Sequence, residues 1–74
     1  MNLLLVEDDV HIQKLFRVAI EELEEPIDVH MSESSNKALQ IATENVIDLF
    51  VIDIQLTDYK GTQLAKQLRE IEAY

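Results

Sequence analysis

Apolar residues follow two alternating rhythms along this chain. Leu3 to Val6 is a short apolar run closed by acids, which predicts a buried strand. From Ile12 the spacing turns helical: Ile12, Leu15, Phe16, Ala19, Ile20 and Leu23 share one face, and Pro26 ends the helix. Ile27 to Met31, apolar at 27, 29 and 31, predicts a second strand. Ser34 or Ser35 can N-cap a helix with Ala38, Leu39, Ile41 and Ala42 inward. Leu49 to Ile52, four apolar residues in a row, predicts a third strand buried on both faces. Gly61 then opens a helix running to about Glu72, with Leu64, Ala65, Leu68 and Ile71 inward. The order β-α-β-α-β-α predicts an α/β fold, a parallel sheet with helices on its faces. If strands 2 and 3 flank strand 1, the two crossovers lie on opposite faces. A crevice then opens at the carboxyl ends of strands 1 and 3.

Acids stand at that crevice. Glu7 and Asp8 follow the first strand directly, and Asp53 follows the third. A buried strand gains nothing from a charge at its tip. Two like charges about 4 Å apart repel by ~1 kcal/mol in water and ~4 kcal/mol at an intermediate dielectric. Mg²⁺ is the natural counter-ion, because it takes hard oxygen ligands and keeps several waters. A carboxylate left partly uncommitted could attack a phosphoryl group and form an aspartyl phosphate. The plainer reading is that Asp8 or Asp9 caps the helix starting near Val10 and that Asp53 is a turn residue. For Asp9, capping is the reading adopted. For the others, acids at the tips of two separate buried strands shift the balance toward a metal site.

Composition narrows the partners. Six Lys and Arg against fifteen Asp and Glu give a net charge of −9, which repels phosphate backbones, so nucleic-acid binding by these 74 residues is not expected. The absence of cysteine rules out disulfides and thiolate metal sites. The apolar stretch at the N-terminus is too short for a signal peptide or a membrane span, so a cytoplasmic location is expected. Residues 1–74 make one domain at most, and a chain this short buries only about 60% of its unfolded surface.

"LLLVEDD" near the N-terminus, with "DLFVIDIQLTDYKG" some forty residues on, resembles the receiver domain of two-component response regulators. The resemblance implies the flavodoxin-like fold with strand order 2-1-3. It implies that Asp53 is the phosphoacceptor, taking a phosphoryl group from a sensor histidine kinase or a histidine phosphotransfer protein. The metal ligands for Mg²⁺ would be Asp8 directly, Glu7 through water, Asp53, and the backbone carbonyl of Gln55. The domain would be a signalling module and not an enzyme. A phosphoryl group adds a charge of about −1.5 to −2 near neutral pH, enough to bias a bistable loop or helix. Two positions depart from the family's pattern. Thr57 stands where proline is common, and Ser35 where glycine is common.

A receiver has five strands, and three are read here. The strand-4 Ser or Thr and strand-5 Lys of the family have no counterpart, and none of Lys14, Lys37, Lys60 and Lys66 ends a strand. The expectation is an incomplete receiver domain that cannot switch normally. Its third strand would have an open outer edge, and its helices would lose neighbours, which predicts self-association. Two other readings stand beside this one. Residues 53–57, DIQLT, resemble the D-x-D-x-T motif of haloacid-dehalogenase-like phosphatases, but Gln55 replaces the general acid and Glu7-Asp8 goes unexplained. The chain could also be a phosphorylation-independent interaction module. His11 and His30 are read as uninvolved, and Gly61 as supplying a backbone conformation that other residues resist.

Overall fold

The computed structural model describes residues 1–53 and 60–71. Its elements run β1 (Asn2–Val6), α1 (Val10–Glu22), β2 (Asp28–Ser32), α2 (Ser35–Glu44), β3 (Leu49–Ile52) and α3 (Gly61–Arg69). All pairing is parallel, in the order β2-β1-β3, so β1 is the central strand. In register, Leu4 lies between His30 and Phe50, and Val6 between Ser32 and Ile52.

Side chains alternate across a strand, and the two faces of β1 are covered differently. Leu4 and Val6 are fully buried against Ala38 and Ala42 of α2 and Leu64 and Leu68 of α3, with Ile47 in the same cluster. Phe50 and Ile52 pack on its margin. Leu3 and Leu5 point to the opposite face and are also buried. With α2 and α3 on the first side, α1 is the element left to cover them.

That cover is thin. No residue of α1 is buried, and only Gln13, Phe16 and Ile20 are shielded even in part. Leu15, predicted to face inward, is 69% exposed and turns away from the sheet. It lies about 100° around the helix from Phe16, on the flank of the apolar stripe, where burial needs a neighbouring element. The same shortage corrects the reading of β3 as buried on both faces. Leu49 is exposed and Phe50, Val51 and Ile52 are half-buried, since among the described residues β3 pairs on one side only. Beside it, an open groove of about 610 Å³ runs between Leu49, Phe50 and Ile52 on one wall and Ala65, Leu68 and Arg69 on the other.

Other boundaries differ for local reasons. β2 is shifted by one residue from the predicted run and ends on buried Ser32. Its hydroxyl donates to the Ser34 carbonyl at 2.6 Å, which makes a serine acceptable there. Ser34 is the N-cap of α2, accepting from the Lys37 amide, so Ser35 is simply the first helical residue. α1 stops at Glu22, before Pro26, because Leu23 caps it and Glu24 turns into the left-handed region at φ 55°. Gly61 has no positive φ. It is buried at the first position of α3, so its use lies in having no side chain. The helix predicted to run to about Glu72 stops sooner: α3 ends at Arg69, where the Glu70 amide turns back to the carbonyls of Gln67 and Leu68.

Candidate acidic metal site

The parallel register brings the carboxyl ends of β1 and β3 to the same edge, since Val6 pairs with Ile52. The next residues, Glu7 and Asp53, therefore leave the sheet side by side. The ladder continues past both: the Asp53 amide donates to the Val6 carbonyl at 2.9 Å, and the Glu7 amide to the Ser32 carbonyl at 2.9 Å. Both acids thus sit on backbone held by strand hydrogen bonds, not on free loops.

The β1–α1 turn is fixed from below. Asp9 N-caps α1, its carboxylate accepting from the amides of His11 and Ile12. The Asp9 amide in turn donates to Glu7 Oε1 at 3.2 Å, and Gln13 Nε2 donates to the Glu7 carbonyl at 2.6 Å. Capping thus accounts for Asp9, as read from the sequence. Asp8 is left on the crevice side.

Glu7, Asp8 and Asp53 each present a carboxylate oxygen within 4.8 Å of the others'. Glu7 is 6% exposed, while Asp8 and Asp53 are half-buried. Gln55 and Thr57 lie outside the described residues. Sequence reading did not single out Gln13 or Ser32. Neither residue type in its position signals a role, because each acts through a bond that only the folded turn creates.

The crowding has an electrostatic signature. Burial, first of all, pushes the Glu7 carboxyl above its ordinary value of 4.5, against the bond from the Asp9 amide, which lowers it. A hydrogen bond to Asp53 and the charges of Asp53 and Asp8 raise it further. Three carboxylates this close to one another hold one another's charge unfavourably. The residues therefore fit a divalent cation, which would supply the positive charge that a proton supplies without it.

A pH dependence follows. Folded Glu7 holds its proton more tightly than the unfolded chain does, so its stabilising contribution is complete below the ordinary Glu range. It is lost as pH rises through the raised folded value. Urea unfolding without metal should show wild type losing more stability over that interval than Glu7→Gln, and millimolar Mg²⁺ should recover the wild-type loss. Equal slopes for the two proteins would contradict this assignment.

Comparison with known proteins places the chain in a family. The chain matches the response regulator receiver domain family over residues 3–73. It is 29% identical over 69 residues to the transcriptional regulatory protein SrrA of Staphylococcus aureus, covering 93% of this chain and 28% of SrrA. Among solved structures it is similar to the MaeR response regulator bound to beryllium trifluoride. That match has a TM-score of 0.88 and 30% identity, over 99% of this chain and 60% of the MaeR chain. It is also similar to an aspartate-to-alanine mutant of MaeR bound to sulfate, with a TM-score of 0.85 and 29% identity over 96% of this chain and 58% of that one. The chain thus spans a little over a quarter of SrrA and under two thirds of MaeR.

Proposed function

This chain belongs to the response regulator receiver domain family, and from that premise we propose that Asp53 accepts a phosphoryl group from a phosphohistidine. The donor would be a sensor histidine kinase or a histidine phosphotransfer protein. An Asp53 carboxylate oxygen attacks phosphorus, the phosphorus–nitrogen bond breaks, and the imidazole leaves with the electron pair. Asp8 and Asp53 would hold Mg²⁺ directly and Glu7 through water, with the Gln55 carbonyl completing the shell. When bound, Mg²⁺ supplies the charge that neutralises the crowded oxygens during transfer. The observation that carries this reading is the convergence of Glu7, Asp8 and Asp53 at the ends of two paired strands. Beryllium trifluoride has the shape of a phosphoryl group on oxygen, and its presence on a structural relative supports the reading.

Residues 1–74 would belong to a single receiver domain working in the cytoplasm. No helix of the described residues is long and apolar enough to cross a membrane. The exposed β3 edge and the uncovered faces of the helices favour self-association.

Titration with Mg²⁺ tests the site. In the millimolar range it should move the backbone amide resonances of Asp8 and Asp53 and leave those of α2 in place. No change at either acid would favour the phosphorylation-independent interaction module. Steady turnover of a generic phosphate ester, lost in Asp53→Asn, would favour the phosphatase reading instead.

A further inference from the structure

Gln13 contributes no carboxylate to the acidic cluster, yet its side chain reaches the peptide that joins two of the acids. The residues of α1 that are shielded in part, Gln13, Phe16 and Ile20, lie at helical spacing on one side of the helix. Packing such a stripe asks for apolar side chains, and its first position holds a glutamine. The amide is used: Gln13 Nε2 donates to the Glu7 carbonyl at 2.6 Å, across six residues of sequence.

That carbonyl belongs to the Glu7–Asp8 peptide, which is a planar unit. Gripping its oxygen orients the whole plane, and with it ψ of Glu7 and φ of Asp8. Those torsions decide how the two acids are aimed relative to one another. The neighbouring planes have anchors of their own. The Glu7 amide, in the plane before, donates to the Ser32 carbonyl at 2.9 Å and extends the β1–β2 ladder. The Asp9 amide, in the plane after, donates to Glu7 Oε1 at 3.2 Å. Gln13 thus holds the plane between a strand bond and a bond at the helix cap.

The direction of the bond matters too. Because the Glu7 carbonyl is spent on α1, the turn offers the crevice its carboxylates, which converge with that of Asp53. The Gln13 amide nitrogen donates to the Asp9 carbonyl at 3.0 Å, so Gln13 is itself fixed in the helix that Asp9 caps. A glutamine also adds no charge to a cluster that already needs a cation.

We propose that Gln13 is a positioning residue for the metal site. By gripping the Glu7 carbonyl it keeps Glu7 and Asp8 aimed for Mg²⁺ and so sets the affinity for the ion. The inference rests on the metal-site reading of Glu7, Asp8 and Asp53 given above. Groups that orient metal ligands contribute about 10- to 100-fold in metal affinity.

Gln13→Met tests it, because methionine is close to glutamine in length and helix propensity but has no N–H to donate. Backbone amide resonances of the whole 74-residue chain, followed through a Mg²⁺ titration, give the half-saturating concentration. It should be about tenfold higher for the variant than for wild type. Gln13→Asn, whose amide falls one methylene short, should behave alike. Without metal, both variants should shift the Asp8 amide, whose nitrogen shares the released peptide, and leave α2 in place. Phe16→Leu, three residues along the same stripe, reports on helix docking alone. It should lower the urea midpoint and keep the Mg²⁺ affinity of the folded chain. Equal half-saturating concentrations in wild type and both Gln13 variants would overturn the positioning role and leave the metal site standing. An equal loss of affinity in Phe16→Leu would also overturn it, since affinity would then follow the docking of α1 as a whole. A wild-type chain indifferent to Mg²⁺ would overturn the metal site and this role with it.

Discussion

Asp53→Asn should abolish labelling by a small phosphoramidate in the presence of Mg²⁺, while leaving the protein folded and, without metal, more stable than wild type. The substitution keeps the shape of the side chain and removes both the nucleophilic carboxylate and one of three crowded negative charges. An amide oxygen carries no full charge and is a far weaker nucleophile, so transfer should fall below detection in intact-mass measurement. Removing Asp53's charge also relieves repulsion toward Glu7 and Asp8, whose oxygens lie within 4.8 Å of it. At about 4 Å each relieved pair is worth roughly 1 kcal/mol in water and more where solvent is displaced. Urea unfolding in EDTA should therefore show a higher midpoint for the variant, and Mg²⁺ should stabilise it less than wild type. The opposite signs of the two effects separate lost chemistry from lost structure. A variant labelled as fast as wild type would end the assignment of Asp53 as acceptor.

Much of this architecture was legible because it rests on local pattern. Leu49–Ile52 reads as a strand because four apolar residues lie between acids, and β3 has those limits. The strand order came with the family resemblance and matches the observed β2-β1-β3 order. What could not be read depends on contacts distant in sequence. Ser32 looks too polar to end a buried strand until the Ser34 carbonyl is there to accept its proton. Glu24 in the left-handed region at the end of α1 is a position where glycine would be the expected signal. Leu15 belongs to an apolar stripe by spacing, but whether it is covered depends on elements that periodicity within one helix does not count. In the site, residue types and strand ends pointed to Glu7, Asp8 and Asp53. The turn that holds Glu7, through Gln13 and the Asp9 amide, is visible only in three dimensions.

Leu4→Ala should unfold most of the chain at 25 °C, whereas Leu15→Ser should change stability little. Leu4 is fully buried at the centre of the central strand, in the cluster that joins α2 and α3 to the sheet. Removing its side chain loses the transfer energy of the buried atoms and leaves a cavity that flanking strands cannot close, a cost of about 2–5 kcal/mol. A core in a chain of this size rarely supplies more than about 3–5 kcal/mol, so the loss is comparable to the whole. Leu15 is already 69% exposed, and replacing it removes little protected surface. Circular dichroism and urea titration at low micromolar concentration would show the contrast. Similar destabilisation by both variants would mean that α1 is docked more tightly than its exposure indicates. The contrast also bears on function, because Glu7 follows β1 directly and Asp53 is held beside it by the bond from its amide to the Val6 carbonyl. A Leu4→Ala chain should lose the Mg²⁺ response along with the fold, while Leu15→Ser should keep it. Stability and metal binding would then be shown to reside in β1 and its α2–α3 face.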